Sequence, residues 1–401
     1  MDVLKLVAVF AILLIALKLK AKLFLAILCS IVATVALWQI PLLTCAELWW
    51  KATKDWNNLQ VLLVLYFITF LQRLLERRSQ LKKAQMDLNG IFNNRRINAT
   101  IAPIFIGLLP SGAAARICGE IVDEATADYL NKDEKSFVTS FFRHIPESFL
   151  PTYTSVIIMA NLSGVSIPSF VIGMLPVIVI LYILGYVFYV RKVPKATGQE
   201  PSKNKFKDFL NLLGHLWTLI VIIFLILAFN LPVLAAVGIV AIAAIFIYRF
   251  KPKELLPCVT SAFEPVLIIN SYLVLVFKEF ISEAGVINTL PDLFSTLPIP
   301  AWLIFAIIFF VGTLAAGSNA IIAMCTVTAF TAIPGSGMPE MVLLMGFSYA
   351  AMQITPTHVC LTIVVDYFKT NLGGIIKKTI PVIACFCVLL SLYYLLLTAI
   401  I

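Results

Sequence analysis

Interrupted apolar segments hold the residues of this sequence that could bind a ligand. Two interruptions read Pro-Ser-Gly at 110–112 and Gly-Ser-Asn at 317–319. At a similar distance after each, a Pro-Thr pair lies inside another apolar run, at 151–152 and at 356–357. A helix that restarts after such an interruption presents free backbone N–H groups and the positive end of its dipole, which favour anions. The carbonyl groups freed there, together with Ser, Thr or Asn oxygens, can bind a dehydrated cation.

These interruptions predict a binding site for a small anion that is transported together with a cation. The candidate substrate-binding residues are Ser111, Gly112, Ala113, Thr152, Tyr153, Thr154, Ser318, Asn319, Thr357 and His358. The candidate coupling-ion residues are Pro110, Gly317, Asn319, Glu264 and His358. Simple capping of the restarted helices is the alternative role for the hydroxyl residues. We expect no cofactor and no metal ion other than Na⁺, because the eight cysteines lie mostly in or next to apolar runs, as small apolar residues do.

Few ionisable residues lie within the apolar segments, and each is a functional candidate. His358 stands at an interruption and can exchange a proton near neutral pH. Glu264 is expected about two turns into a span, where it could carry a coupling proton or, equally, be solvated at the cytoplasmic end. Arg143 is expected near the inner face, where it could attract an anion or only extend its side chain to water. The acidic residues at 120–134 are expected to be solvated.

The composition places these segments in a membrane. Hydrophobic residues make up 61% of the 401 residues and charged residues only 13%, and the mean hydropathy is +0.99. A soluble globular chain is roughly 45–50% apolar and about 25% charged, so a soluble fold is excluded. The net charge of +9 does not indicate nucleic-acid binding, because the basic residues lie in short segments between apolar runs. That distribution is typical of a polytopic helical membrane protein.

Ten full spans are predicted, since a helix needs about 20 residues to cross a bilayer. They lie near 3–17, 23–43, 58–76, 137–163, 166–190, 209–229, 231–249, 256–279, 339–366 and 379–398. The segments near 97–127 and 299–333 are instead predicted to be re-entrant hairpins. With both termini outside a cytoplasmic membrane, all but four of the 30 Lys and Arg residues then lie on the cytoplasmic side, as the positive-inside rule requires. The alternative is one miscounted span.

The two halves of the chain match at an offset of about 205 residues. Each half contains five spans, one of them broken at Pro-Thr, and one re-entrant hairpin. Because five crossings is an odd number, the second copy must be inverted, as in many secondary transporters. The predicted fold is therefore an all-α polytopic membrane protein with a first repeat at 1–195, a cytoplasmic linker at 196–208 and an inverted second repeat at 209–401. A chance match is the alternative.

The segments that carry these interruptions resemble a known family. The stretches at 108–114, 141–151, 354–361 and 366–369 look like those of domain-of-unknown-function family 401, whose members are integral membrane proteins. The resemblance covers both halves of the chain. That family is similar to the ion transporter superfamily, whose gluconate, citrate, C4-dicarboxylate and lactate carriers share inverted repeats with two re-entrant hairpins. The resemblance implies a homodimer with an elevator-like motion.

The same resemblance bears on the coupling ion. In sodium-dependent dicarboxylate carriers each hairpin tip carries Ser-Asn-Thr. Here the second tip reads Ser-Asn-Ala at 318–320, whereas the first reads Ser-Gly-Ala at 111–113 and lacks the amide. The sequence therefore does not support two equivalent sodium sites, and both Na⁺ and H⁺ stay open as coupling ions.

We therefore expect a secondary active transporter of small organic anions, most simply carboxylates, that is coupled to H⁺ or Na⁺ and works by alternating access. It is not expected to be an enzyme. Its expected partners are the lipid bilayer and a second copy of the chain, and no nucleic acid. One alternative is an intramembrane enzyme acting on a lipid or isoprenoid phosphate, for which 120–147 is the candidate segment. The other is an ion channel.

Overall fold

The computed structural model is helical throughout the part of the chain that it describes. The described residues are 2–19, 21–80, 83–84, 86–87, 91, 94–108, 112–126, 129–196, 204–285, 298–333, 335–355 and 358–400. They include 18 α-helices and form no strands. The all-α fold class predicted from the sequence is thereby confirmed.

Nine of the described α-helices lie before residue 197 and nine lie after residue 203. The first nine are α1 (Asp2–Lys18), α2 (Leu23–Trp38), α3 (Leu42–Lys54), α4 (Trp56–Arg77), α5 (Arg95–Ile106), α6 (Gly112–Thr126), α7 (Lys132–His144), α8 (Thr154–Ser163) and α9 (Ile167–Phe188). The other nine are α10 (Lys205–Phe229), α11 (Val233–Ile247), α12 (Pro252–Ala262), α13 (Pro265–Glu283), α14 (Ala301–Ala316), α15 (Ser318–Ala332), α16 (Met338–Met352), α17 (Val359–Phe368) and α18 (Leu372–Ile400). Single 3₁₀ turns follow α7 at Ile145–Ser148 and α9 at Val190–Lys192.

Within the part of the chain that the structure describes, five helices are long and apolar enough to cross a membrane, namely α4, α9, α10, α13 and α18. A helix can cross hydrocarbon because it pairs its backbone groups internally. The outer face of α18 illustrates the fit, since Val388, Leu392 and Leu396 follow one another at helical spacing and are each more than half exposed. These features are compatible with a membrane protein.

Two of the predicted spans differ from the structure. The segment expected at 256–279 is two helices, because α12 ends at Ala262 and α13 begins at Pro265. A proline at the first helical position restricts the residue before it to extended backbone, and Glu264 accordingly has φ −97° and ψ 97°. Glu264 therefore lies between two helices, and its expected place inside a continuous span is wrong. The helix expected at 23–43 ends at Trp38, after which α3 begins.

The remaining interruptions lie where the sequence predicts them. α5 and α6 pack together as the arms of a first helical hairpin, and α14 and α15 as those of a second. Gly317 joins α14 to α15 with φ +86°, a backbone angle that favours glycine. Each predicted span with a Pro-Thr pair consists of two helices, α7 followed by α8 and α16 followed by α17.

The two hairpins pack against both broken segments. In the first hairpin α5 contacts α7 while α6 contacts α17, and in the second α14 contacts α16 while α15 contacts α8. The helices α7 and α16 form the core, because almost every residue from Glu134 to His144 and from Pro339 to Met352 is buried. A helix that is buried on all sides lies at the centre of a bundle. The end of α7 is therefore enclosed by the rest of the protein.

Helices α9 and α18 run antiparallel to one another. The hydroxyl of Tyr189, just after α9, donates a 2.8 Å hydrogen bond to the carbonyl oxygen of Lys378 near the start of α18. The hydroxyl of Tyr393, late in α18, donates a 2.9 Å bond to the carbonyl oxygen of Gly173 near the start of α9. Each helix thus begins where the other ends.

Candidate functional site

A cluster of ionisable side chains lies where α7 ends. Arg143 and His144 are the last two residues of α7, and Glu147 follows in the 3₁₀ turn. His358 and Cys360 come from the start of α17, which packs against α7. Arg143 is 3% exposed and His144 1% exposed. We call these five residues the Arg143 cluster.

The hydrogen bonds of the Arg143 cluster define its protonation. Arg143 Nη1 lies 2.9 Å from His144 Nε2, and His144 Nδ1 lies 2.6 Å from the backbone oxygen of Ser140. Because a guanidinium only donates, His144 Nε2 is the acceptor and His144 Nδ1 carries the proton. His358 Nε2 is also 2.9 Å from His144 Nε2, so His358 must donate to it. His144 is therefore a neutral imidazole in this arrangement.

The same cluster brings three possible metal ligands together. One ligand atom each from His144, His358 and Cys360 lies within 4.8 Å of the other two. However, Arg143 Nη1 is 2.9 Å from His144 Nε2 and 3.4 Å from Cys360 Sγ, so a permanent cation already lies among these atoms. It would repel a metal ion. The donor set therefore does not fit a metal centre, and it fits an anion that approaches the guanidinium.

A buried guanidinium needs compensation, because removing a charge from water costs several kcal/mol even in a relaxed protein. The carboxyl group of Glu147 lies nearby and supplies a negative charge when it is ionised, with its Oε2 4.0 Å from His144 Nε2. An arginine offers a planar fork of N–H donors that matches a carboxylate. Arg143 is therefore the residue best suited to hold an organic anion inside this protein.

The first hairpin rests directly on Arg143. A Cβ atom added to Gly107, just after α5, would lie 1.9 Å from the backbone oxygen of Arg143. The hydroxyl of Tyr153 donates a hydrogen bond to the backbone oxygen of Gly107. The sequence predicts Tyr153 as a substrate-binding residue, and the structure places it beside the cluster.

Several predicted tip residues cannot be located in the same way. Pro110, Ser111 and Thr357 lie outside the described residues. Gly112 and Ala113 lie in the first turn of α6. The structure therefore describes the two helices of the first hairpin, α5 and α6. The substrate-binding role of the residues at its tip stays a prediction.

The second hairpin is tied to α16 by hydroxyl groups. Ser318 Oγ lies 2.7 Å from Ser348 Oγ, which is itself 2.9 Å from Thr313 Oγ1. Thr355 Oγ1, between α16 and α17, donates a 3.0 Å bond to the backbone oxygen of Leu314. Asn319 is exposed at the start of α15, next to Gly317 and Ser318. The predicted residues of this tip thus lie together, and the Asn319 side chain is exposed there.

Two more predicted residues precede or begin α8, the helix that packs against α15. Thr152 is 5% exposed, and its Oγ1 has no hydrogen-bond partner among the described residues. Such a buried hydroxyl needs an explanation, and an absent ligand is one. Thr154 is the first residue of α8 and is partly buried.

Glu264 has a different environment. Its Oε1 lies 2.8 Å from Nη2 of Arg73 on α4, and its side chain is 46% exposed. It forms a surface ion pair, which stabilises a protein by roughly 0–1 kcal/mol. The structure does not bring Glu264 into contact with the Arg143 cluster through any described hydrogen bond or ion pair, so its predicted coupling role gains no support.

The acidic segment that was expected to be solvated is partly buried. Glu134 is 6% exposed, lies 2.8 Å from Lys192 Nζ and 3.4 Å from Lys378 Nζ, and caps α7 together with Asn131. Burial alone would raise the pKa of Glu134, but the hydrogen bonds from Lys192 and from the Asn131 backbone lower it overall. Asp123 pairs with Lys135 at 2.7 Å. These carboxylates are used in ion pairs, which does not favour a catalytic role for 120–147.

Sequence reasoning missed that Arg143 is buried inside the protein. It also missed the partners that gather there, because they come from segments more than 200 positions apart, as in the pair of Arg143 with Cys360. The one available signal was the offset of about 205 residues, which makes Tyr153 and His358 equivalent positions. A search around both would have found the Arg-His pair.

Comparison with known families gives one match. The family described as "Protein of unknown function (DUF401)" matches residues 2–398. A comparison with curated proteins finds no match.

Proposed function

This chain belongs to that family over nearly its whole length, and because the family has no assigned function, we propose one from the site: secondary active transport of a small organic anion, of the carboxylate class, coupled to H⁺ or Na⁺. One observation carries the proposal. The guanidinium of Arg143 is buried where three parts of the chain meet. They are the first hairpin, the broken segment formed by α7 and α8, and the start of α17 from the other half of the chain.

The depth of Arg143 supports a transport site. Arg143 follows Lys132 by eleven residues along α7, which is about 16 Å of helix at about 1.5 Å per residue. If α7 starts at one face, this distance is about half of a hydrocarbon core of roughly 30 Å. Charged groups at such a depth are expensive, and they usually mark the pathway of a substrate or an ion.

Alternating access is supported by the arrangement of the helices. Equivalent helices of the two halves exchange equivalent contacts, since α6 packs on α17 as α15 packs on α8. A second such pair comes from Tyr66 and Tyr272, whose hydroxyls contact Val259 and Thr53 respectively, each at an offset of 206 residues. The antiparallel course of α9 and α18 fits an inversion. We therefore propose two inverted repeats, at 1–195 and 209–401, each with five spans and one re-entrant hairpin.

In this proposal the anion binds between the hairpins and the broken segments. Arg143 holds the carboxylate, and the start of α15 with Ser318 and Asn319 contributes N–H groups and side chains from the opposite side. Movement of the hairpins with the site then exposes it to each face in turn. We propose that the arrangement is that of the ion transporter superfamily, and we extend the proposal to a homodimer in the cytoplasmic membrane with both termini outside.

The test is uptake into liposomes that contain the purified protein. L-lactate, gluconate, succinate and citrate are supplied as labelled probes, with and without Na⁺, and the same four are screened by thermal shift in detergent. Wild type is expected to take up at least one probe and to be stabilised by it. Failure of all four probes in both assays would contradict the proposal.

Replacing Ser318 and Asn319 together by alanine is expected to lower uptake of the active probe at least tenfold. The double variant removes the hydroxyl that contacts Ser348 and the exposed amide at the tip, while α15 keeps its helix-forming residues. Elution as a single peak and an unchanged apo melting temperature would show that the fold is intact. Unchanged uptake would remove these two residues from the site.

A further inference from the structure

We propose that His358, His144 and Glu147 form a proton carrier that loads one proton with each anion held by Arg143. This inference rests on the proposed function and selects H⁺ over Na⁺ as its coupling ion. It is carried by the geometry of the Arg143 cluster, in which three groups able to exchange protons meet at a single nitrogen atom.

That nitrogen is Nε2 of His144. It lies 2.9 Å from His358 Nε2, 2.9 Å from Arg143 Nη1 and 4.0 Å from Glu147 Oε2. The rings of His144 and His358 are close and nearly perpendicular, with centroids 4.7 Å apart at 69°. A proton on either imidazole can therefore pass to the other without movement of the backbone.

The two donors compete for one lone pair. Arg143 and His358 both direct an N–H group at His144 Nε2, which can accept but has no proton of its own in this arrangement. Adding a proton to His144 Nε2 would direct three N–H groups at one another, those of His144, His358 and the Arg143 guanidinium. An anion that binds Arg143 supplies both a new acceptor for the guanidinium and a negative charge. Anion binding therefore favours protonation of the histidine pair, and protonation favours anion binding.

Charge balance gives the stoichiometry. With Glu147 ionised and both imidazoles neutral, the charges of Arg143 and Glu147 cancel. A monoanion bound together with one proton leaves the sum at zero. Since an uncompensated charge in hydrocarbon is costly, the neutral combination is the one that can be moved through the membrane. One proton per monoanion is the expected ratio.

The two outer members of the carrier are more exposed than its middle member. The side chain of Glu147 is 22% exposed, His358 is partly buried, and His144 is 1% exposed. The other titratable groups near the Arg143 cluster are Cys118 on α6, Tyr153 before α8, Tyr349 on α16 and Cys360 on α17. Thiols and phenols are ordinarily neutral at neutral pH, so they do not compete as proton carriers. The exchange of protons therefore runs through the histidines and Glu147.

The experiment measures accumulation driven by a pH difference in Na⁺-free liposomes. The probes are the monoanions L-lactate and gluconate, and the membrane potential is held at zero with K⁺ and valinomycin. For one proton per monoanion, an outside pH one unit lower should accumulate the active probe about tenfold, because one pH unit corresponds to a factor of ten. Exchange of labelled for unlabelled probe at equal pH is measured in the same preparation.

The decisive variant is His144→Gln combined with His358→Gln, and the single variant His358→Gln accompanies it. Because the loaded site of this variant would keep an uncompensated negative charge, accumulation should fall to about onefold and exchange at equal pH should fall at least tenfold. Binding of the active probe in detergent, measured by isothermal titration, should strengthen about tenfold per unit fall of pH in wild type and should not depend on pH in the variant. His215→Gln is the matched control, because His215 lies on α10 and contacts Gln80 and Asp87. It should accumulate the probe as wild type does.

Each result decides between the two proposals. Tenfold accumulation by the double variant would overturn the proton carrier. Wild-type accumulation that requires Na⁺ and does not depend on the pH difference would also overturn it. In both cases the transport proposal would stand. A monodisperse double variant that binds the probe with the pH dependence of wild type, or that does not bind it at all, would also overturn the proton carrier, because the histidines would then not be a proton carrier separate from the anion site at Arg143. Absence of binding and exchange in wild type for all four organic anions would overturn the proposed function and this inference together.

Discussion

Replacing Arg143 by glutamine is expected to weaken binding of the active anion at least about 100-fold. The substitution removes the buried positive charge while keeping a polar side chain of similar length. Truncating one partner of a buried charged hydrogen bond costs 2–5 kcal/mol or more, and about 2.8 kcal/mol corresponds to a factor of 100. Arg143→Lys should fall between the two, because lysine keeps the charge but not the planar fork. Isothermal titration in detergent with the probe that stabilises wild type most would measure these affinities.

The control for this experiment is another arginine. Arg78 pairs with Glu254 at 3.0 Å and lies over the ring of Phe250, away from α7, so Arg78→Gln should bind the anion like wild type. Because Arg143→Gln leaves Glu147 without its cation, the double variant with Glu147→Gln separates stability from binding. It should recover apo stability and still fail to bind. Equal affinity of Arg143→Gln and wild type would exclude Arg143 as the anion ligand.

The interruptions of the helices could be predicted because their causes are local. A proline changes the backbone of its own position and of the residue before it, and Gly317 adopts a backbone angle that few other residues tolerate. The apolar character of the helices is likewise a property of each segment alone. Both signals can be read from a single sequence, and the described residues agree with them at Gly317, between α14 and α15, and at the interruption between α7 and α8.

The state of individual charges could not be predicted, because it depends on partners that are distant in the sequence. Glu134 is buried since Lys378, 244 positions later, comes close to it. Arg143 is buried since α5, α6 and α17 close around the end of α7. Counting charges by loop assigns each residue to the nearest membrane face. Arg143 stands next to a proline-rich interruption, so the count places it at a face.

Substituting alanine for Gly107 tests whether the first hairpin must contact α7 for the site to exist. Gly107 has φ −66° and ψ −11°, so alanine is allowed by the backbone, and the effect of the substitution comes from contact alone. The added Cβ would lie 1.9 Å from the backbone oxygen of Arg143 and 3.2 Å from that of Pro103. Neither backbone atom can rotate away, so the hairpin must shift and lose its bond to Tyr153.

We expect Gly107→Ala to lower the melting temperature, with a cost of about 1–3 kcal/mol as for other overpacked sites, and to weaken anion binding at least tenfold. Alanine substitutions at two other glycines serve as controls with smaller expected effects. At Gly312, the position 205 residues later, a Cβ would meet only the side chain of Ile321, which can adjust, and at Gly238 it would meet nothing within 4 Å. Affinity should therefore fall most for Gly107→Ala, less for Gly312→Ala and not at all for Gly238→Ala. If all three variants bound the anion equally well, the close approach of the hairpin to Arg143 would be irrelevant to the site, and the anion would have to bind elsewhere.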